Sequence, residues 1–195
     1  MTELSEKILA EYQVRKKRKH KTQFIEFMKE NIPDILIEEG GFARNRNLIV
    51  GDVSKADIIL GAHYDTCAAL PFPNFIMPKN FLITFLYSCL ICIPFFMVSL
   101  LVSLLLSFVT DDFFVISYGA FLACLGLMFF VFMGGKPNKH TANDNTSGVI
   151  TLCELMATLS EEEKRRIAFV FFDNEENGLL GSSYFRRVHK KELKN

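Results

Sequence analysis

The sequence predicts an α/β fold interrupted by a two-helix transmembrane hairpin. Short β-type runs alternate with helical patterns on either side of residues 80–133, and such alternation favours at least some parallel pairing. Residues 80–133 carry only two formal charges, Asp111 and Asp112, while charged residues crowd into 1–57 and 161–194. Two kinds of material therefore share one chain.

Residues 3–30 read as one helix. Leu4, Ile8, Tyr12, Phe24, Phe27 and Met28 recur at helical spacing, and Pro33 closes the segment. Residues 1–31 thus form a basic amphipathic element whose middle, Arg15 to Lys21, is six cations and a histidine. A solvated face is the plain reading of that run, and contact with anionic lipid headgroups the sharper one. Three β-type runs follow: Ile35–Ile37 before the Gly40-Gly41 turn, Asn47–Val50 before Gly51-Asp52, and Asp57–Ala62. The last is apolar enough to be covered on both faces and leads straight into His63-Tyr64-Asp65-Thr66. Pro71, Pro73 and Pro78 mark a rigid, non-helical connection.

The runs Asn80–Val109 and Phe113–Met133 contain no formal charge. A spanning helix needs about 20 apolar residues, so each run can cross a bilayer. The first is longer than needed and holds Pro94, which favours tilt or a kink. Beyond the Gly134-Gly135-Lys136-Pro137 turn the soluble pattern resumes, with a helix over Ser147–Leu159, a strand over Arg166–Phe172, a polar loop at Asp173–Gly178 and a helix over Ser182–Val188.

The totals are balanced, 22 Lys plus Arg against 22 Asp plus Glu, so nothing in the charge points to nucleic acid. Five cysteines, Cys67, Cys89, Cys92, Cys124 and Cys153, form no disulfide framework. Cys89-x-x-Cys92 lies inside an apolar run and reads as two small hydrophobes rather than a redox or zinc pair. No apolar run begins early enough to serve as a signal peptide.

Three polar clusters fall where an α/β sheet gathers its ligand groups, two at strand ends and one opening a helix. They bring one imidazole and four carboxylates: His63, Asp65, Asp144, Glu175 and Glu176. Each alone has an ordinary explanation: a strand-end histidine, a helix-start aspartate, an exposed acidic pair. Together, so many acids in one crevice require a cation. A mixed imidazole and carboxylate set suits Zn²⁺, with Mn²⁺ or Co²⁺ as substitutes. His63 and Asp65, two apart on extended backbone, project to the same side, so one can ligate while the other orients the ring. Glu175 and Glu176 are adjacent and can diverge, one toward metal and one toward water.

Gly61-Ala62-His63-Tyr64-Asp65-Thr66, Asn143-Asp144-Asn145 with Ser147-Gly148-Val149, and Phe171 to Ser182 resemble the motifs of the co-catalytic di-zinc aminopeptidases. That family comprises aminopeptidase Y-like peptidases and is related to glutamate carboxypeptidase and glutaminyl cyclase. The resemblance implies a zinc-exopeptidase-like α/β/α sandwich with a mixed, mostly parallel sheet. It implies His63 on one zinc, Asp144 bridging two, Glu176 on the second, Asp65 supporting His63 and Glu175 as general base. It implies hydrolysis of peptide substrates at their N-terminus, with two zinc ions in a complete chain.

The family pattern continues with an Asp and then a His, neither assignable before Asn195; His189 sits among Arg186, Arg187, Lys190 and Lys191. The expectation is a chain whose C-terminal part is missing, inactive on its own. The peptidase domain would run over 32–78 and 136–195, with the hairpin inserted at 79–135. Lys79, Lys136 and Lys139 flank the hairpin base, and its turn has only Asp111 and Asp112, so the soluble part is expected on the cytoplasmic side. His63 precedes the hairpin and Asp144 follows it, so the site is expected near the bilayer surface. The alternatives are a glutaminyl cyclase-like mono-zinc transferase, which would use overlapping motifs, and a non-catalytic membrane scaffold, which the presence of all five site groups argues against.

Overall fold

The computed structural model describes residues 1–73 and 79–194; Pro78 of the expected proline-marked connection lies outside them. The chain divides into two compact units, Met1–Cys67 with Pro137–Asn195, and Ala68–Lys136.

The first unit opens with α1 (Glu3–Glu11) and α2 (Arg18–Asn31). The single helix expected over 3–30 is thus two, broken at residues 12–17. The cause is local: Arg15 turns inward and donates to the Tyr12 carbonyl, which closes α1. Thr2 caps the other end by accepting from the Ser5 amide at 3.3 Å. The basic run is not one solvated face either. Arg15 and Lys21 are buried, while Lys17, Arg18 and Lys19 are exposed.

Four strands follow the apolar runs: β1 (Leu36–Gly40), β2 (Asn45–Val50), β3 (Ile58–His63) and β4 (Ile167–Phe172). Their order in the sheet is β1-β2-β4-β3. β1 and β2 form a hairpin whose turn uses Gly41 at φ 78°, a conformation glycine adopts without penalty. A hairpin must be antiparallel; β2 also pairs antiparallel with β4, and only β3 and β4 are parallel. The described sheet is therefore mixed but mostly antiparallel, which corrects the expected parallel majority. β3 is not covered on both faces as expected: it pairs with β4 alone among the described strands, and Ile58 and Gly61 are exposed. The covered strand is β4, with Ala168 to Phe171 all buried.

Alternation along the strands splits the core in two. Leu48, Ala62, Phe169 and Phe171 join Ile8, Phe24, Met28, Val149 and Leu152 from α1, α2 and α5 (Ser147–Thr158). Ile49, Ala168 and Val170 instead meet Phe185 of α7 (Leu180–Val188). Each large side chain so buried is worth roughly 1.5–3 kcal/mol. A single turn, α6 (Glu161–Lys164), links α5 to β4 under a capping box of Ser160 and Glu163.

The second unit is a pair of helices, α3 (Phe81–Ser107) and α4 (Phe113–Phe129), the latter extended by a π-turn over Phe130–Gly134. Both are long and apolar enough to cross a membrane, with mean hydropathies of 2.8 and 2.3. Asp112 caps α4 by accepting from the Phe114 amide at 2.8 Å. Ser99 donates to the Ala120 carbonyl at 3.4 Å, and Gly119 gives room to Leu106. Phe95 and Ala120 are the buried residues of the two helices. Cys89 and Cys92 are free and exposed on α3.

Candidate metal centre

The polar clusters converge at one end of the first unit. His63 ends β3, Asp144 lies just before α5, and Glu176 sits in the loop between β4 and α7. One donor atom from each of these three lies within 4.8 Å of the others. His63 Nε2 is 3.3 Å from Asp144 Oδ1. A tetrahedron of ligands at roughly 2.1 Å from a zinc has edges of about 3.4 Å, so this spacing fits a shared ion. One imidazole and two carboxylates also form the donor chemistry zinc accepts.

Asp65 does more than stand beside His63. His63 Nδ1 is 3.1 Å from the Asp65 carbonyl and 3.5 Å from its carboxylate. A carbonyl only accepts, so in the neutral ring Nδ1 carries the proton and the Nε2 lone pair is left for a ligand shared with Asp144 and Glu176. The Asp65 carboxylate itself accepts from the amides of Glu175 at 3.0 Å and Glu176 at 3.1 Å. One buried acid thus links the β3 end to the loop that carries Glu176.

Electrostatics follow from these contacts. Burial pushes the Asp65 carboxyl up, but His63, Lys21 and the two amides outweigh it and hold it below its ordinary range. Burial pulls the His63 imidazole down, yet the hydrogen bond and charge of Asp65, with Asp144 behind, raise it. Burial first, then the charges of Asp144 and Asp65, push Glu176 up. An acid raised by its neighbours in this way would be relieved by a cation among them.

Glu175 is not among the three converging donors and is engaged with Ser182. Its carboxylate accepts from the Ser182 amide at 2.7 Å and the Ser182 hydroxyl at 2.8 Å, satisfying the first turn of α7. His189 pairs with Glu38 at 2.7 Å, apart from the three ligands. The Asp144–Asn145 peptide is cis.

Beneath the loop lies a buried polar network that the sequence did not disclose. Lys21 Nζ is 2.6 Å from both Asp173 Oδ1 and Asn174 Oδ1. Asp173 Oδ2 accepts from the Arg46 amide at 3.1 Å, and the Asp173 amide donates to Asn47 Oδ1 at 3.1 Å. Asn174 Nδ2 donates to Asn45 at 2.8 Å. Gly181 is obligatory here, because a Cβ would lie 2.0 Å from the Asp173 carbonyl. The one advance signal was three polar residues, Asn45, Arg46 and Asn47, ahead of an apolar strand.

The model of peptidase family M28 matches residues 130–195. The matched stretch holds Asp144, Glu175 and Glu176, with His63 and Asp65 outside it. Comparison with curated proteins gave no match, and comparison with solved structures gave none. Over its C-terminal third the chain is similar to that family, which supports a zinc-dependent peptide hydrolase.

Proposed function

We propose that this chain carries the metal site of a membrane-bound, aminopeptidase-type zinc metallopeptidase. The observation that carries the reading is the meeting of His63, Asp144 and Glu176 within 4.8 Å, two of them inside the stretch similar to peptidase family M28. When bound, zinc acidifies water and polarises a scissile carbonyl. His63 Nε2 and the Asp144 and Glu176 carboxylates would hold the metal. Asp65 fixes the His63 tautomer and the height of the Glu176 loop. Glu175 would take the proton from the attacking water and return it to the leaving amine; Ser182 occupies one acceptor position on each of its oxygens, which leaves a lone pair on each.

Membrane attachment rests on α3 and α4, and the cytoplasmic side on Lys79, Lys136 and Lys139 against Asp111 and Asp112 in the turn. The exposed Lys17, Arg18 and Lys19 are the part of the basic run open to anionic headgroups.

The test is zinc titration of the chain in lipid nanodiscs by calorimetry, paired with cleavage of an aminoacyl-nitroanilide and its N-acetylated form by a longer chain that continues into the Asp and His of the family pattern. We expect zinc binding that Glu176→Ala weakens, chelator-sensitive release from the free amine only, and loss of release in Glu175→Gln. Absence of zinc binding, or full activity in Glu175→Gln, overturns the reading.

A further inference from the structure

The N-terminal basic run holds two buried cations that the catalytic reading does not use. Arg15 is fully buried in the bend between α1 and α2. Its guanidinium donates to the Tyr64 and Tyr12 carbonyls and, at 3.0 Å, to the Thr146 hydroxyl. Its own amide donates to the Thr66 hydroxyl at 2.9 Å. Lys21 lies between Asp173 and Asn174.

These contacts are distributed in a telling way. Tyr64 follows His63, Thr146 is two residues after Asp144, and Asn174 is two before Glu176. Every ligand-bearing segment is therefore gripped, within two residues of its ligand, by a side chain from one short stretch of the N-terminus. Thr141 extends the grip, donating to the Gln13 carbonyl at 2.5 Å and lying 3.0 Å from Thr146. The sheet alone could not do this, since Asp144 belongs to no strand.

Burying such charges is costly, and an Arg set among carbonyls and hydroxyls is not there for an ion pair. Among the described residues no carboxylate lies within salt-bridge distance of Arg15; Asp65 acts on it as the nearby counter-charge. The guanidinium offers five donors in a rigid fork, which suits tying separate backbone segments together.

We propose that Arg15 and Lys21 are positioning residues of the metal centre, a cationic clasp that sets the mutual placement of the His63, Asp144 and Glu176 segments. This rests on the metal reading above and deepens it. Two physical effects of the clasp have opposite signs. By charge alone, the cations repel a metal ion, so removing one would tighten binding. By placement, removing one lets the three segments drift and weakens binding.

The experiment measures zinc affinity by chelator competition, and the Co²⁺ absorption spectrum, for the whole chain in nanodiscs at a temperature where circular dichroism shows it folded. Arg15→Met, Lys21→Met and the charge-keeping Arg15→Lys are compared with wild type. We expect each to weaken zinc about ten- to hundredfold, as loss of groups supporting a ligand does, and to alter the Co²⁺ bands. Unchanged or tighter binding in these variants, or wild-type affinity in Arg15→Lys, overturns the clasp. A wild-type chain that binds no zinc overturns the metal reading instead. Amide exchange in the wild-type chain needs no variant: zinc should slow exchange at residues 12–21, because coupling is reciprocal. No change there, with zinc bound, also overturns the clasp.

Discussion

The two aspartates of the site live in opposite surroundings. The Asp65 side chain is 2% exposed and the Asp144 side chain 68%. Asp65 accepts from two successive amides and sits in the field of Lys21, whereas Asp144 has His63 for a neighbour at 3.3 Å. The first is a fixture of the fold, held by contacts that need no ion. The second is an exposed group held through its flanks, at Thr141, Asn145 and Thr146 among others, whose carboxylate would gain a stronger partner when a cation arrives. A metal site built this way would be half preorganised and half completed by its ligand.

The contrast breaks first at Asp65. Replacing it with Ala would leave the Glu175 and Glu176 amides unpaired and remove the counter-charge near Arg15 and Lys21. Taking one partner from a buried charged set typically costs about 3–5 kcal/mol. Chemical unfolding of the first unit, followed by circular dichroism in detergent, should show a loss of that order for Asp65→Ala. A loss below about 1 kcal/mol would mean that the loop is held by the Lys21 and Asn47 network alone.

A smaller effect follows from the shifted acids and imidazole. Asp65 lies below its ordinary 3.8 in the fold. It therefore stabilises above that value, and the contribution is lost as pH falls through the folded value. His63 lies above its ordinary 6.5, so its contribution is full below 6.5 and disappears as pH rises through the folded value. Glu176, raised above 4.5, acts the other way: it begins to cost stability as pH rises past 4.5, with the full cost reached above its folded value. Metal-free chain should lose stability both below pH 3.8 and above 6.5. Zinc competes with the proton on His63 Nε2, so the zinc-induced rise in melting temperature should grow as pH climbs past 6.5. A rise that is flat from pH 5 to 8 would exclude His63 as a ligand.

The sequence displayed one side of this contrast better than the other. Strands ending in His63 and in the Asp173–Gly178 loop were legible because apolar runs with polar ends have a definite period and a definite stop. The three candidate ligands could be chosen because donor type and cluster position survive without coordinates. Sheet direction was not legible beyond the hairpin, since a crossover from β2 to β4 leaves no local mark, and β3 looked covered on both faces only because Ile58, Ile59 and Leu60 are apolar. Arg15 and Lys21 were hidden by their company. In Arg-Lys-Lys-Arg-Lys-His-Lys, burial of the first and last residue depends on a bend at residues 12–17, and the apolar spacing of Tyr12 and Phe24 ran across that bend as if it were helix.

Asp144 gives the smallest effect and the sharpest one. An exposed side chain away from caps and cores usually changes stability by less than about 0.5 kcal/mol, so metal-free Asp144→Asn should unfold with the wild type. Asn keeps the shape and one acceptor oxygen but removes the charge a cation needs. In saturating zinc, wild type should gain stability with the logarithm of free zinc, and Asp144→Asn should gain far less at every concentration. The pair of curves separates the two aspartates cleanly: Asp65→Ala lowers the baseline, Asp144→Asn flattens the slope. If Asp144→Asn instead lowered the metal-free baseline by more than 1 kcal/mol, the segment before α5 would be a structural element in its own right, and the division between a fixed and a ligand-completed half of the site would fall.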